Sequence, residues 1–431
     1  MNKMPTWYES QVIKDLMPIL GARAVRGLET NFFLSRIYTG KSALLKVARY
    51  LEATIEKEDR RALIITDSFT EKFVKNIKEF LEIIEMDYKI WSGVLPEVPI
   101  STIDEGAKVC KEYNPSILIA IGGGSVMDTA KMVLVKYEKP DQNLFMILPS
   151  IGSALGLRKK IKYLIAIPTT SGTGSEVATA ALITDTSRDP PKKIEVVHEE
   201  LLADITILDS EFVKDLPPFL TMATGLDALA HAMGSYTTNW GNPYFDAINK
   251  TVIQEIKKYL PRTYKYGGKD IEARSHMQVA STLAAFGSYG NQAPGINHAL
   301  GHSFGKIFAI HHGIAVSLFL PYDIAFKVKV TDKWMDLCPI FNIGVNNKSK
   351  DELLKEFISS LEDFIVSVDG YTCVKDIKEP KISKEEYFGK IGKLVDYAIN
   401  DAVTLTSYRP INEDIYKRIF EYAWDGKIID F

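Results

Sequence analysis

Three short apolar runs in the first half of the chain are separated by helical patterns, and two of them run straight into glycine-rich turns. Arg61–Asp67 (RALIITD) reads as a β-branched strand, followed by Ser68 and Glu71 in an S-x-x-E spacing that predicts a capped helix start. Ser116–Ile121 (SILIAI) ends in three glycines, and Tyr163–Ile167 (YLIAI) in a turn rich in glycine and hydroxyl side chains. Strands alternating with helices in this way predict a parallel sheet in an α/β domain, with ligands at the C-terminal ends of the strands. After Leu216-Pro217-Pro218 the pattern changes to amphipathic helical segments such as Tyr244–Tyr259 and Asp351–Val368. The reading is therefore an N-terminal extension over 1–30, an α/β domain over 31–217 and an all-helical domain over 218–431, with the boundary near Pro217–Leu220. There is no internal repeat and no low-complexity segment.

Composition sets the outer limits. With 431 residues, 46% hydrophobic and 25% charged, the chain has the make-up of a globular protein of about two domains. A formal net charge of −3 gives no nucleic-acid footprint, and no apolar run reaches the ~18–20 residues of a spanning helix. The N-terminal residues lack the apolar core of a signal peptide, so a soluble, cytoplasmic protein is expected. Cys110, Cys338 and Cys373 are too scattered for a disulfide framework or a cysteine zinc site.

Two loops carry candidate cofactor chemistry. Gly122-Gly123-Gly124-Ser125 follows a strand and opens a helix, where close backbone approach and unpaired N–H groups favour a phosphate. The usual dinucleotide fingerprint is broken at Met127, and a plain strand-to-helix turn is the competing reading. Pro168-Thr169-Thr170-Ser171-Gly172-Thr173-Gly174-Ser175 offers more hydroxyl donors than a turn requires. Asp67 ends the first strand, where a carboxylate either accepts from ribose hydroxyls or caps the next helix.

Seven histidines are present, and five of them cluster. Asp227 and His231 stand four apart, as do His298 and His302, so each pair shares one helical face; His311-His312-Gly313 follows. One carboxylate with several imidazoles suits a divalent transition metal such as Fe²⁺ or Zn²⁺. In one unbroken helix His298 and His312 would lie ~21 Å apart at ~1.5 Å per residue. The chain must therefore turn between them, with Gly305 and the region around Lys306–Ile310 as the candidate break.

Taken in order, ALIITD, IGGGSVMDTAK, IPTTSGTGSEV, LLADITILD, GLDALAHAM, NHALGHSFG and HHGIAV resemble the iron-containing (group III) alcohol dehydrogenase family. The resemblance runs from about Arg36 to the end. It implies a dinucleotide-binding α/β domain of the dehydroquinate synthase type, a helical C-terminal domain, an active site in the cleft between them, and a homodimer. It implies Asp227, His231, His298 and His312 as metal ligands, His312 rather than His311 because the family's last ligand directly precedes a glycine. His302 falls where the family has a histidine beside the nicotinamide that moves protons. Gly122–Ser125 and Asp128 match the pyrophosphate site, and Thr169, Thr170 and Ser171 match the second cofactor loop. Lys193 matches a cofactor-contacting lysine, and Asp67 the ribose-binding acid of members that prefer NAD over NADP. Three departures stand out: Gly234 where many relatives carry glutamate, the first ~30 residues, and an atypical connection over Gln142–Lys160.

The expected activity is interconversion of alcohols and aldehydes or ketones by hydride transfer to NAD, with one Fe²⁺ or Zn²⁺ polarising the reacting oxygen. Small-molecule alcohol and aldehyde substrates are the expected partners, with no nucleic acid or membrane. Four protein ligands fill a tetrahedral shell, so substrate must enter as a fifth or one ligand must be loose. A glycerol dehydrogenase-like polyol enzyme is the near alternative. A dehydroquinate synthase-like lyase is disfavoured because segments 221–240 and 284–313 hold one cation, Lys306.

Overall fold

The structure, a computed structural model, describes residues 34–147, 154–188, 191–238, 243–290, 294–407 and 409–431. The expected extension over 1–30 lies outside the described residues, as do residues 148–153 of the atypical connection. The chain forms two compact units. One comprises the described part of 32–216 with Gly268–Thr282; the other comprises Pro217–Gly267 with Leu283–Phe431. The stretch 268–282, expected in the helical domain, thus groups with the sheet. Its side chains explain why: Thr282 donates to Glu176 Oε1 (2.6 Å), and Arg274 donates to Leu216 O (2.8 Å).

The first unit is built on a six-stranded parallel sheet in the order β1-β8-β5-β4-β2-β3. The strands are β1 (Arg36–Thr39), β2 (Arg61–Ile65), β3 (Asp87–Trp91), β4 (Ile117–Gly122), β5 (Tyr163–Pro168) and β8 (Ile205–Leu208). Each expected strand is present within one or two residues. β4 is buried at every position, as a central strand covered on both faces must be, whereas the edge strands β1 and β3 are largely exposed. Helices α1 (Ala43–Thr54) and α2 (Val74–Ile83) bury Val47, Leu51, Ile77 and Phe80 in one core with Ile64, Ile119 and Ile165. Helices α3 (Ile100–Tyr113) and α4 (Gly124–Glu138) complete the layers. An antiparallel pair, β6 (Ala180–Asp185) and β7 (Lys192–Val197), was not anticipated from the sequence.

The Ser68–Glu71 capping box is not formed. Asp67 takes that role instead, its Oδ1 accepting from the N–H groups of Phe69 and Thr70, both at 2.8 Å. Two carboxylates hold the atypical connection. Glu200 accepts from Leu155 N (2.6 Å), Gly156 N (3.1 Å) and Leu157 N (2.6 Å). Glu138 accepts from the N–H groups of Lys159, Lys160 and Ile161.

The second unit has no strand among its described residues. Its central helix α5 (Pro218–Tyr236) is buried from Thr221 to Tyr236, as an all-round apolar sequence demands. Around it lie α6 (Pro243–Tyr266), the end of α7 (Ile271–Gly290), α8 (Ile296–Phe308), α9 (His312–Leu318) and α10 (Leu320–Lys327). Then come α11 (Lys350–Ser367), α12 (Lys384–Gly389), α13 (Ile391–Ile399) and α14 (Glu413–Asp425). Ser349 and Glu352 form a complete capping box at the start of α11.

Glu200 supplies a stability prediction. Burial raises its pKa, but its three N–H donors outweigh that, and the carboxyl lies below its ordinary value. A depressed carboxylate contributes stability above its unfolded pKa of about 4.3 and loses it as pH falls through the folded value. Glu200→Gln should therefore destabilise by about 1–2 kcal/mol at pH 7, the low end for hydrogen bonds to a charged group. The gap should close below about pH 4. Urea denaturation at both pH values checks this, and a gap of equal size at pH 3 would contradict it.

Candidate metal centre

In the helical unit, α5 carries Asp227 and His231 on one face, and both are almost wholly buried. His298 enters from α8 and His312 from the first position of α9. Ligand atoms of Asp227, His231 and His298 all lie within 4.8 Å of one another. From Asp227 Oδ1, His312 Nε2 is 3.4 Å away, His231 Nδ1 3.8 Å and His298 Nε2 3.9 Å. For bonds of about 2.1 Å, tetrahedral ligand atoms sit about 3.4 Å apart, so these distances from Asp227 suit a shared divalent ion, with Asp227, His231 and His298 forming the mutually close trio and His312 joining them through Asp227. His298 Nε2 is buried with no hydrogen-bond partner among the described residues, as suits a ligand nitrogen.

The chain reverses between His298 and His312 as required, within the expected Lys306–Ile310 region rather than at Gly305 itself. Helix α8 runs through Gly305 to Phe308, and Ala309 then adopts a left-handed conformation (φ 54°). His311 caps the next helix, its Nδ1 accepting from Gly313 N at 3.3 Å. Glycines make the approach possible. A Cβ on Gly301 would lie 2.8 Å from Val316 N, and one on Gly313 would lie 2.0 Å from Ala223 O. The glycine after His312 thus lets α9 touch α5, and that contact carries His312 to Asp227.

Burial sets the protonation of the cluster. It pushes His231 down to about 3, helped by His302, and holds His298 well below its ordinary value, helped by His231 and His312. Both imidazoles are neutral near pH 7, the form that ligates a metal. His302 stands beside the group, stacked on His312 with ring centroids 5.2 Å apart. Its Nδ1 lies 2.9 Å from Asp401 Oδ2, which selects the Nδ1–H tautomer and leaves Nε2 as the acceptor. Asp401 lies 99 positions from His302, and no spacing rule could have singled it out.

The cofactor candidates sit in the sheet unit. β4 ends at Gly122, and α4 begins at Gly124, with Ser125 in its first turn. Thr169 N donates to Gly122 O (2.9 Å), so the two loops are stitched side by side. A Cβ on Gly123 would come 3.3 Å from Thr170, and one on Gly122 would lie 2.4 Å from Val126 Cγ2. Packing therefore already requires glycine at 122. Ser171 Oγ is buried with no hydrogen-bond partner among the described residues. Asp128 is turned inward: its carboxylate accepts from Ser175 Oγ (2.5 Å) and Leu182 N (3.0 Å) and braces the loop against β6. Lys193 pairs with Glu97 Oε1 at 3.1 Å. Asp67 has Oδ1 committed to backbone and, among the described residues, Oδ2 without a hydrogen bond.

Comparison with known proteins agrees with both units. The family model for iron-containing alcohol dehydrogenase matches residues 35–210, and that for the C-terminal region of the Fe-containing alcohol dehydrogenase family matches 221–424. The chain belongs to the iron-containing alcohol dehydrogenase family. It is 31% identical over 406 residues to an NADPH-dependent butanol dehydrogenase of Clostridium saccharobutylicum, covering 93% of this chain and 100% of the relative. To an NAD-dependent methanol dehydrogenase of Bacillus methanolicus it is 32% identical, over 78% of this chain and 86% of the relative. Among solved structures, an alcohol dehydrogenase from Oenococcus oeni has the same fold, with a TM-score of 0.82 at 24% identity, covering 92% of this chain and all of that one. As a family member the chain is a metal-dependent alcohol dehydrogenase, an oxidoreductase of the NAD(P)-using kind. No helix among the described residues is long and apolar enough to cross a membrane.

The α9–α5 contact gives a test of how the centre is assembled. Gly313→Ala places a methyl group inside contact distance of Ala223 O and must push α9 away from α5. We expect at least a tenfold loss of divalent-metal affinity with little change in helical content by circular dichroism. Metal affinity equal to that of the unmodified enzyme would show that this contact does not position His312.

Proposed function

We propose that Asp227, His231, His298 and His312 hold one divalent ion, Fe²⁺ or Zn²⁺, and that the enzyme interconverts small primary alcohols and their aldehydes with NAD as the preferred cofactor. The observation that carries this reading is the convergence of one carboxylate and three imidazoles from three helices, at 3.4–3.9 Å from Asp227 Oδ1. When bound, the ion supplies Lewis acidity to a hydroxyl or carbonyl oxygen, and the nicotinamide takes up or returns the hydride. The relatives named for butanol and methanol support the substrate class.

The chain's own residues do the rest. His302, held by Asp401 at Nδ1, offers Nε2 to take the alcohol proton and pass it toward solvent. In the sheet unit the N–H groups of Gly124 and Ser125 at the start of α4 suit the pyrophosphate, and the hydroxyls of Thr169, Thr170 and Ser171 suit the second half of the cofactor. Asp128 acts there by holding Ser175 and β6 in place. Lys193 is the remaining candidate contact, shared with Glu97. Asp67 Oδ2 is available to ribose hydroxyls and opposes a 2′-phosphate.

The metal assignment is tested by elemental analysis and chelation. One divalent ion per chain is expected, and His298→Ala should abolish alcohol-dependent NADH formation while the sheet unit stays folded. Full activity after exhaustive chelation, with no metal detected, would overturn the reading.

For cofactor choice, like charges ~4 Å apart at an effective dielectric of ~20 cost on the order of 4 kcal/mol before screening, so even a fraction gives tenfold discrimination. NAD should therefore exceed NADP in kcat/KM, and Asp67→Gly should narrow the gap. Equal values in the unmodified enzyme would refute the role given to Asp67.

His302→Gln should keep its metal, since all four proposed ligands remain, and lose about 10²–10⁴-fold in kcat. Alcohol oxidation should recover in part at higher pH as hydroxide takes over proton removal. A pH-independent loss would instead mark His302 as a packing residue.

A further inference from the structure

His298 has two ring nitrogens, and only an unprotonated one can bind a metal. Nε2 faces Asp227, so the tautomer is decided by whatever meets Nδ1. That neighbour is the side-chain amide of Asn297, and its surroundings fix which end is which. One end faces two acceptors, Gly295 O at 3.0 Å and Asp323 Oδ2 at 3.3 Å, and therefore carries the NH₂ group. The other end faces His298 Nδ1 at 3.2 Å and one acceptor, Val316 O at 3.3 Å; with two acceptors against one, the NH₂ group belongs at the first end and the carbonyl oxygen at this one. An acceptor there draws the proton to Nδ1 and leaves Nε2 bare. The reverse amide orientation would leave Nε2 protonated and unable to ligate.

The orientation of Asn297 depends in turn on a buried ion pair. Asp323 and Lys327, one turn apart on α10, are both essentially inaccessible, with Lys327 Nζ 2.7 Å from Asp323 Oδ2. Lys327 Nζ also reaches Thr237 Oγ1 (3.2 Å) and Gly234 O (3.5 Å). Held by this cation, Asp323 stays an acceptor and calls for the NH₂ end of Asn297. Two glycines leave room for the cluster. A Cβ on Gly295 would lie 2.0 Å from Asp323 Oδ2, and one on Gly234 would lie 2.7 Å from Gly295 N. Gly234, where many relatives carry glutamate, thus belongs with this packed polar group, and a side chain there would displace it.

We propose that Asn297, oriented by the Asp323–Lys327 pair, is a positioning residue that fixes His298 as the Nδ1–H tautomer and aims a bare Nε2 into the metal centre. This rests on the ligand assignment proposed above. Partners in this position typically contribute 10–100-fold to metal affinity.

The test uses the full chain, labelled with ¹⁵N at histidine. In the metal-free unmodified enzyme, long-range ¹H–¹⁵N spectra should show His298, assigned by its loss in His298→Gln, as Nδ1–H. Asn297→Leu, similar in size but without polar ends, should lose that preference and bind Zn²⁺ 10–100-fold more weakly. An asparagine that merely packs would lower thermal stability and leave the tautomer and the Zn²⁺ affinity unmoved. Nε2–H in the unmodified enzyme overturns the proposal even if Asn297→Leu fails to fold, and so does Zn²⁺ binding by Asn297→Leu as tight as that of the unmodified enzyme. If the unmodified enzyme binds no Zn²⁺ or Fe²⁺ at all, the ligand assignment itself fails and this inference with it. Nε2–H alongside intact Zn²⁺ binding removes this inference alone.

Discussion

The burial of Asp227 is the constraint around which the helical unit is organised. A carboxylate exposed to only 2% needs compensation, because an isolated charge in a protein interior is among the most costly groups to bury. The imidazoles beside it do not cancel that charge, since burial keeps His231 and His298 neutral. A divalent cation shared by all of them would. Three helices bring these polar groups together inside a largely apolar bundle.

Reaching that geometry depends on contacts a side chain would forbid. Gly301 lets α8 lie against α9, Gly313 lets α9 lie against α5, and Gly225 admits Leu260 of α6. The sheet unit uses glycine in the same way at Gly122, where the preceding strand meets Val126 of its own helix. A glycine run after a parallel strand thus has two physical causes at once. It permits close packing at the strand–helix turn, and it bares the N–H groups that favour an anion. This is why the GGGS motif taken alone left a plain turn open as an alternative.

What the sequence made legible was whatever repeats locally. Short continuous apolar runs placed β2, β4 and β5, the i, i+4 spacing placed Asp227 with His231, and the length of an unbroken helix showed that the chain must turn before His312. Features that depend on distant partners were not visible. Asp401 meets His302 across 99 residues, and Lys327 reaches Gly234 across 93. The count of cations in segments 221–240 and 284–313 missed Lys327 for that reason, although it lies behind the metal centre. Its pairing with Asp323 leaves the argument against a phosphorylated, carboxylated substrate intact. The helix break falls inside the expected Lys306–Ile310 region, but its left-handed residue is Ala309 rather than a glycine, which spacing could not single out. Asp67 could be read as a cap or as a ribose ligand, and the two uses prove compatible because the backbone occupies Oδ1 alone.

A shell of four protein ligands suits a structural metal better than a catalytic one, so turnover requires a place for substrate. The proposed ligands are not equivalent in this respect. Asp227 and His231 are fixed in the middle of a buried 19-residue helix, and the side chain of His298 is 2% exposed and held at Nδ1 by Asn297. His312 differs: its side chain is 25% exposed, and it is the first residue of a seven-residue helix. Its ring is stacked on His302, the proposed proton carrier. The most exposed of the proposed ligands is therefore also the one next to the proposed proton carrier. A metal held by the four proposed ligands would then have its buried side formed by Asp227, His231 and His298, and its solvent side, where substrate would approach, formed by His312 beside His302.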